Sequence, residues 1–198
     1  MADTSPDLAA LIGSRICHDL ISPIGAINNG LELLGMAGDT AGPELNLISE
    51  SVENASARIR FFRLAFGAAS GQEVSAQEVR AVLRDSTRNT KAHVSWDHDA
   101  PAPRNDVRLA FLAEQCLESA MPYGGEISIT KDVNGWSVRG QSEKFNIDAA
   151  LWSMLADYKI PADIAPSHVH FALLAVHCKE EGRKLRSTLS QEDILIRF

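Results

Sequence analysis

Apolar residues return at steps of four and three along the first third of the chain. This period limits the possible folds more than any other feature of the sequence. Ile12, Ile16, Leu20, Ile24, Ile27, Leu31 and Leu34 form one stripe, and Leu45, Ile48, Val52, Ala55, Ile59, Phe62 and Phe66 form a second. Such spacing belongs to a helix that buries one face. Between the stripes, the run from Gly35 to Pro43 is dense in helix breakers and reads as a turn. The expectation is two helices, over about residues 6–34 and 43–68, joined as an antiparallel hairpin. Pro6 falls in the first turn, with Asp7 at the positive end of the helix dipole. Pro23 removes one backbone hydrogen bond and is expected to kink the first helix. A lone hairpin cannot cover two long stripes. Either a second copy pairs with it as a four-helix bundle around a two-fold axis, or the C-terminal half covers it within one chain. The homodimer is the expected solution.

Gly67-Ala68-Ala69-Ser70-Gly71-Gln72 is small and polar and reads as a linker, which divides the chain into residues 1–70 and 71–198. Beyond it the pattern changes. Ser75 and Glu78 have capping-box spacing ahead of Val79, Val82 and Leu83. Val94 to Trp96 is a short strand candidate, and Val107 to Met121 a helix with Leu109, Leu112, Cys116 and Leu117 on one side, ended by Pro122-Tyr123-Gly124-Gly125. Glu126 to Thr130 and Trp136 to Arg139, joined across Asn134-Gly135, make a hairpin. Helices over Asp148 to Leu155 and Ser167 to Gly182, then strands over Leu185 to Leu189 and Ile194 to Phe198, complete an antiparallel or mixed sheet with helices on one face. The fold class is therefore α+β: a helical hairpin followed by an α/β sandwich.

A net charge of −7 argues against general nucleic-acid binding, which needs basic surface to displace counterions. No apolar run approaches the ~18–20 residues that span a bilayer, and the acidic start of the chain has no signal-peptide pattern. Cys17, Cys116 and Cys178, odd in number and far apart, read as reduced thiols of a cytoplasmic protein. Cys17 is expected to be a packing residue.

His18 stands opposite the first stripe and is expected to face water. Its neighbours at helical spacing include Ser14, Arg15, Ser22, Gly25 and Asn29, which are small or polar and leave room for a partner protein. An exposed imidazole is largely neutral near pH 7 and is a good nucleophile toward phosphorus. This placement, with an acid next to it, suggests a phosphoryl-accepting histidine. His168 and His170, two residues apart on a helix, point to opposite sides, and no carboxylate completes a metal site.

The run His18-Asp19-Leu20-Ile21-Ser22-Pro23 resembles the histidine box of sensor histidine kinases. The longer run from Ser14 to Leu34 is similar to the alphaproteobacterial histidine phosphotransferases of the ChpT type. That resemblance implies a dimerising hairpin that carries the histidine, followed by a degenerate histidine-kinase-ATPase-like domain that does not bind ATP. Gln115 and Ser119 stand where the kinase box would place two asparagines, and the segment Val169 to Val176 lacks the glycines with which a backbone approaches phosphate. The implied activity is relay of a phosphoryl group between receiver-domain aspartates, from a hybrid histidine kinase to response regulators. No cofactor of its own is implied, and Mg2+ is expected to come with the receiver. Asp19 is then either an ordinary solvated charge or the group that sets the orientation or tautomer of His18. Arg15 is either a plain surface residue or a contact for acidic groups or phosphate. Ser14, Ser22, Gly25 and Asn29 form the rest of the partner-binding face. Two other activities compete: an ATP-dependent kinase, and a non-enzymatic adaptor that only docks receivers.

Overall fold

The computed structural model describes residues 6–37, 42–68 and 71–198. The first helix, α1, covers Leu8–Ala37. The Asp7 carboxylate accepts the N–H groups of Ala9 and Ala10 at 3.1 Å each, so Asp7 caps the helix instead of lying in its first turn. The helix is continuous through the buried Pro23 and runs three residues past its expected end, to Ala37. Gly38 to Ala41 of the expected turn lie outside the described residues, as do Ala69 and Ser70 of the expected linker. Helix α2, Pro43–Ala65, begins with proline after an extended Gly42. The two helices meet closely at Gly30, where a Cβ would come within 2.6 Å of Ile48 Cγ1.

The remaining elements are β1 (Glu73–Val74), α3 (Ala76–Thr87), β2 (Ala92–Trp96), β3 (Ala102–Pro103), α4 (Arg104–Ala120), β4 (Gly125–Asp132), β5 (Gly135–Gln141), α5 (Ala149–Asp157), α6 (Val169–Glu180), β6 (Arg186–Leu189) and β7 (Asp193–Arg197). Ser75 Oγ accepts the Glu78 N–H at 3.1 Å and caps α3 as its spacing predicts. Five strands form one sheet in the order β2-β4-β5-β7-β6. The β2–β4 pair is parallel, with Val94 opposite Ile127, and the other pairs are antiparallel. Ile127, Ile129, Trp136, Val138, Ile194 and Ile196 alternate with exposed or half-buried positions, so one face of the sheet is covered by helices. The two-residue pair β1–β3 is a further element that the sequence pattern does not announce.

Helix α4 is the hub. The sequence reading placed its apolar residues on one side. The structure buries Val107, Leu109, Phe111, Leu112, Ala113, Cys116 and Leu117 completely, and Asp106, Arg108, Glu114 and Gln115 with them. The reason is that α4 has neighbours all round: the sheet, α6 and α2, whose Phe61 stacks on Phe111 at 4.9 Å.

The two ways of covering the hairpin stripes divide along its length. Leu8, Leu11, Ile12 and Ile16 pack against the core of the C-terminal unit. Farther along α1, Ile24 and Leu31 stay exposed, and so do Leu45, Val52 and Ile59 of α2.

Candidate functional site

His18 lies on α1, and its side chain is 85% exposed. Its Nδ1 is 3.1 Å from Asp19 Oδ1. Asp19 is no ordinary solvated charge, because its side chain is only 11% exposed. Its other oxygen accepts Arg15 Nε at 2.7 Å, with Arg58 Nη1 of α2 at 3.8 Å. Nη1 of Arg15 also donates to the Ser167 carbonyl at 2.6 Å, in the short 3-10 turn Pro166–His168 that leads into α6. Arg58 is held in turn by Asn54, whose Oδ1 accepts its Nε at 2.9 Å. A carboxylate only accepts, so Nδ1 is the donor in the His18–Asp19 contact, and in the neutral ring the lone pair then lies on Nε2. Among the described residues, nothing bonds to that Nε2.

The rest of the expected partner face lies along α1 on either side of His18. Ser14, Ser22 and Asn29 are exposed. Gly25 is half-buried, and the position a Cβ would take there is open space. Arg15 is placed differently from these, since both ends of its guanidinium are engaged within the chain. Cys17 is exposed, not packed as expected: among the described residues nothing covers that side of α1. Ile21, one turn after His18, is 71% exposed.

Behind Asp19 lies a cleft of about 300 Å³, lined by Arg15, Asp19 and Arg58 on the hairpin side and by Glu114, Gln115, Glu118 and Ser119 of α4. Burial, reinforced by the nearby Glu118 charge, pushes the Glu114 carboxyl well above its usual range, and its Oε2 has no hydrogen-bond partner. Burial also raises Glu118, against the pull of Arg15 and Arg58. Gln115 donates its amide to Glu118 at 3.4 Å. Ser119 Oγ donates to the Gln115 carbonyl at 2.9 Å and lies 3.0 Å from His170 Nε2. Burial lowers His170 well below the ordinary imidazole value; with the Ser119 hydroxyl proton given to the Gln115 carbonyl, Nε2 is the donor in the contact with Ser119. Gln115 and Ser119 are thus bonded inside the protein, although Gln115 Oε1 has no partner among the described residues.

Sequence reasoning finds His18, Asp19 and Arg15 from local spacing, and Arg15 and Asp19 stand four apart on one helix. It misses Arg58 and the Ser167 carbonyl. Arg58 sits in the second stripe region with no pattern to mark it, and a backbone carbonyl 152 residues away leaves no sequence signal.

A family model described as "Histidine phosphotransferase C-terminal domain" matches residues 76–193. Among curated proteins, the protein phosphotransferase ChpT of Brucella abortus (strain 2308) is 42% identical over 126 residues, which cover 62% of this chain and 60% of that protein. The chain therefore spans about 60% of the length of this curated relative. Among solved structures, one described as a bacterial phosphotransferase is similar with a TM-score of 0.78 and 32% identity, covering 96% of this chain and 94% of that one.

Proposed function

The chain belongs to the histidine phosphotransferase family, and from that premise we propose that it relays a phosphoryl group between receiver-domain aspartates through His18. The observation that carries this reading is the pairing of an exposed ring with a largely covered acid: Nδ1 is bonded to Asp19 and Nε2 is open to a partner. Phosphoryl transfer asks for in-line positioning and charge neutralisation more than for covalent help. The Nε2 lone pair forms a bond to phosphorus while the P–O bond to the receiver's aspartate breaks, and that carboxylate leaves with the electron pair. The ring then carries phosphate on Nε2 and a proton on Nδ1. Its positive charge lies against the Asp19 carboxylate, so no proton has to move. Transfer onward is the same step reversed. Mg2+ comes with the receiver, as does most of the charge neutralisation.

Ser14, Ser22, Gly25 and Asn29, with the exposed Ile21, form the proposed docking face. The partners are the receiver of a hybrid kinase and those of response regulators, and the setting is cytoplasmic; among the described residues no helix is long and apolar enough to cross a membrane. The protein acts as a homodimer, since Ile24, Leu31, Leu45, Val52 and Ile59 leave an apolar face on the hairpin.

The test is incubation with a phosphorylated receiver and Mg2+. Acid-labile, base-stable phosphate is expected on the full chain and absent from His18→Ala, while ATP alone labels neither. Normal labelling of His18→Ala would remove the assignment.

A further inference from the structure

We propose that Arg15, assisted by Arg58, is a positioning residue: it fixes the Asp19 carboxylate so that His18 keeps its proton on Nδ1, and through Ser167 it ties that setting to the C-terminal unit. This rests on His18 being the phosphoryl acceptor. The need for such a device follows from the chemistry of the ring. A free histidine side chain favours the tautomer protonated on Nε2, which is the wrong one for attack by Nε2. One hydrogen bond to a neighbouring acid has to reverse that preference. On an open helix surface the carboxylate could rotate and turn either oxygen to water. Here it cannot, because Oδ2 is held by Arg15 Nε at 2.7 Å and only Oδ1 is left for the ring at 3.1 Å.

Charge supports the same reading. A carboxylate this little exposed needs a cation to offset its lost hydration. Glu118 also borders the cleft from α4, so without the two arginines Asp19 would face a like charge. Arg15 and Arg58 approach from the hairpin side at 2.7 and 3.8 Å. Arginine suits the place because its donors diverge at a fixed angle: Nε serves Asp19 while Nη1 serves the Ser167 carbonyl at 2.6 Å. The C-terminal unit thereby reaches the reacting ring through Arg15 and Asp19 in series. The family model covers that unit, and this contact gives it a task at the acceptor itself.

The experiment uses the full chain labelled with 15N at histidine, with the ring proton located by long-range 1H–15N correlation. The parent chain is expected to show His18 protonated on Nδ1, and Arg15→Met to move it toward the Nε2-protonated pattern. In the same variant the phosphotransfer rate at saturating phosphorylated receiver should fall by about tenfold or more, with the half-saturating receiver concentration unchanged. In a double-mutant cycle with Asp19→Asn, the two losses should be strongly non-additive, as for groups acting in series. If Arg15→Met fails to fold by circular dichroism, Arg58→Met decides, with the same signs and a smaller size. An unchanged ring pattern in the folded variants overturns the proposal, as does a loss confined to the half-saturating concentration, which would mean that the arginine binds the partner. A His18→Ala chain that still accepts phosphate would defeat the acceptor assignment instead. The ring pattern is read without any transfer, so the two failures are distinguishable.

Discussion

A histidine becomes useful through what holds its other nitrogen, and beside His18 Nδ1 that is one carboxylate with two arginines behind it. The same face offers a cleaner test of docking than any charged residue does. Gly25 lies beyond His18 on α1, and nothing lies within 4 Å of the position a Cβ would take. Glycine in a helix interior costs ~1 kcal/mol relative to better helix formers. Gly25→Leu should therefore keep or raise the melting temperature, while the added bulk slows transfer both to and from receivers. Unchanged transfer kinetics would mean that receivers approach from another side of the ring, and would leave His18 as acceptor. What was legible at this scale was whatever is local: His18, Asp19 and Arg15 share one helix and betray themselves by spacing. Arg58 and Ser167 come to the same point from α2 and from the turn before α6, and only the folded chain brings them there.

Among the elements, α4 departs most from its sequence pattern. Its hydrophobic side was legible, but its burial all round was not, because nothing local tells a helix that α2 and α6 will cover its polar positions. Most of the other elements were read within a few residues. The exceptions are cases where tertiary contacts replace a local signal. The pair β1–β3 is two residues long. Helix α5 ends on Tyr158 at φ 59°, without the glycine that usually marks such a stop. The tyrosine hydroxyl compensates by accepting the Leu185 N–H at 3.0 Å.

The buried face of α4 also sets a pH dependence. Glu114 is raised well above its usual value by burial and then by Glu118. An acid whose folded value lies above its unfolded value, about 4.3, favours the fold most when both states are protonated. That advantage is lost as pH rises from the unfolded value through the folded one. Glu114→Gln, which cannot ionise, should gain on the parent chain as pH rises. Thermal melts should show little difference near pH 4 and a gain of about 2–4 °C at pH 8 for each kcal/mol recovered. A gain that does not grow with pH would show that the carboxyl is not held neutral. Asp106 behaves oppositely. Burial works against its charge, but hydrogen bonds from Trp136 and Arg183 and the charge of Lys131 hold it below its usual value. Its contribution is present above the ordinary carboxylate range and is lost as pH falls through the lowered value.

For the whole molecule, the divided coverage of the hairpin predicts the assembly. Leu8, Leu11, Ile12 and Ile16 lean on the C-terminal unit, whereas Ile24, Leu31, Val52 and Ile59 remain exposed. Burying each large aliphatic residue is worth ~1.5–3 kcal/mol, so a second copy has ample reason to pair there. Ile59 is 54% exposed in the single chain, so Ile59→Glu would be harmless to a monomer. In a dimer it places a charge in the contact, and light scattering should show loss of the dimer with the C-terminal unit still folded. A monomer for the unmodified chain at micromolar concentration would refute the bundle. The link from Arg15 to Ser167 has a consequence of another kind, in the order of synthesis. It closes a loop of 152 residues. The acceptor helix leaves the ribosome well ahead of the carbonyl that braces it, which follows 152 residues later. While the chain is still being made His18 is present without its tether, and a product cut short before residue 167 carries a histidine that is chemically intact but unset. On this proposal the setting of His18 waits on a carbonyl made 152 residues after the arginine that it braces.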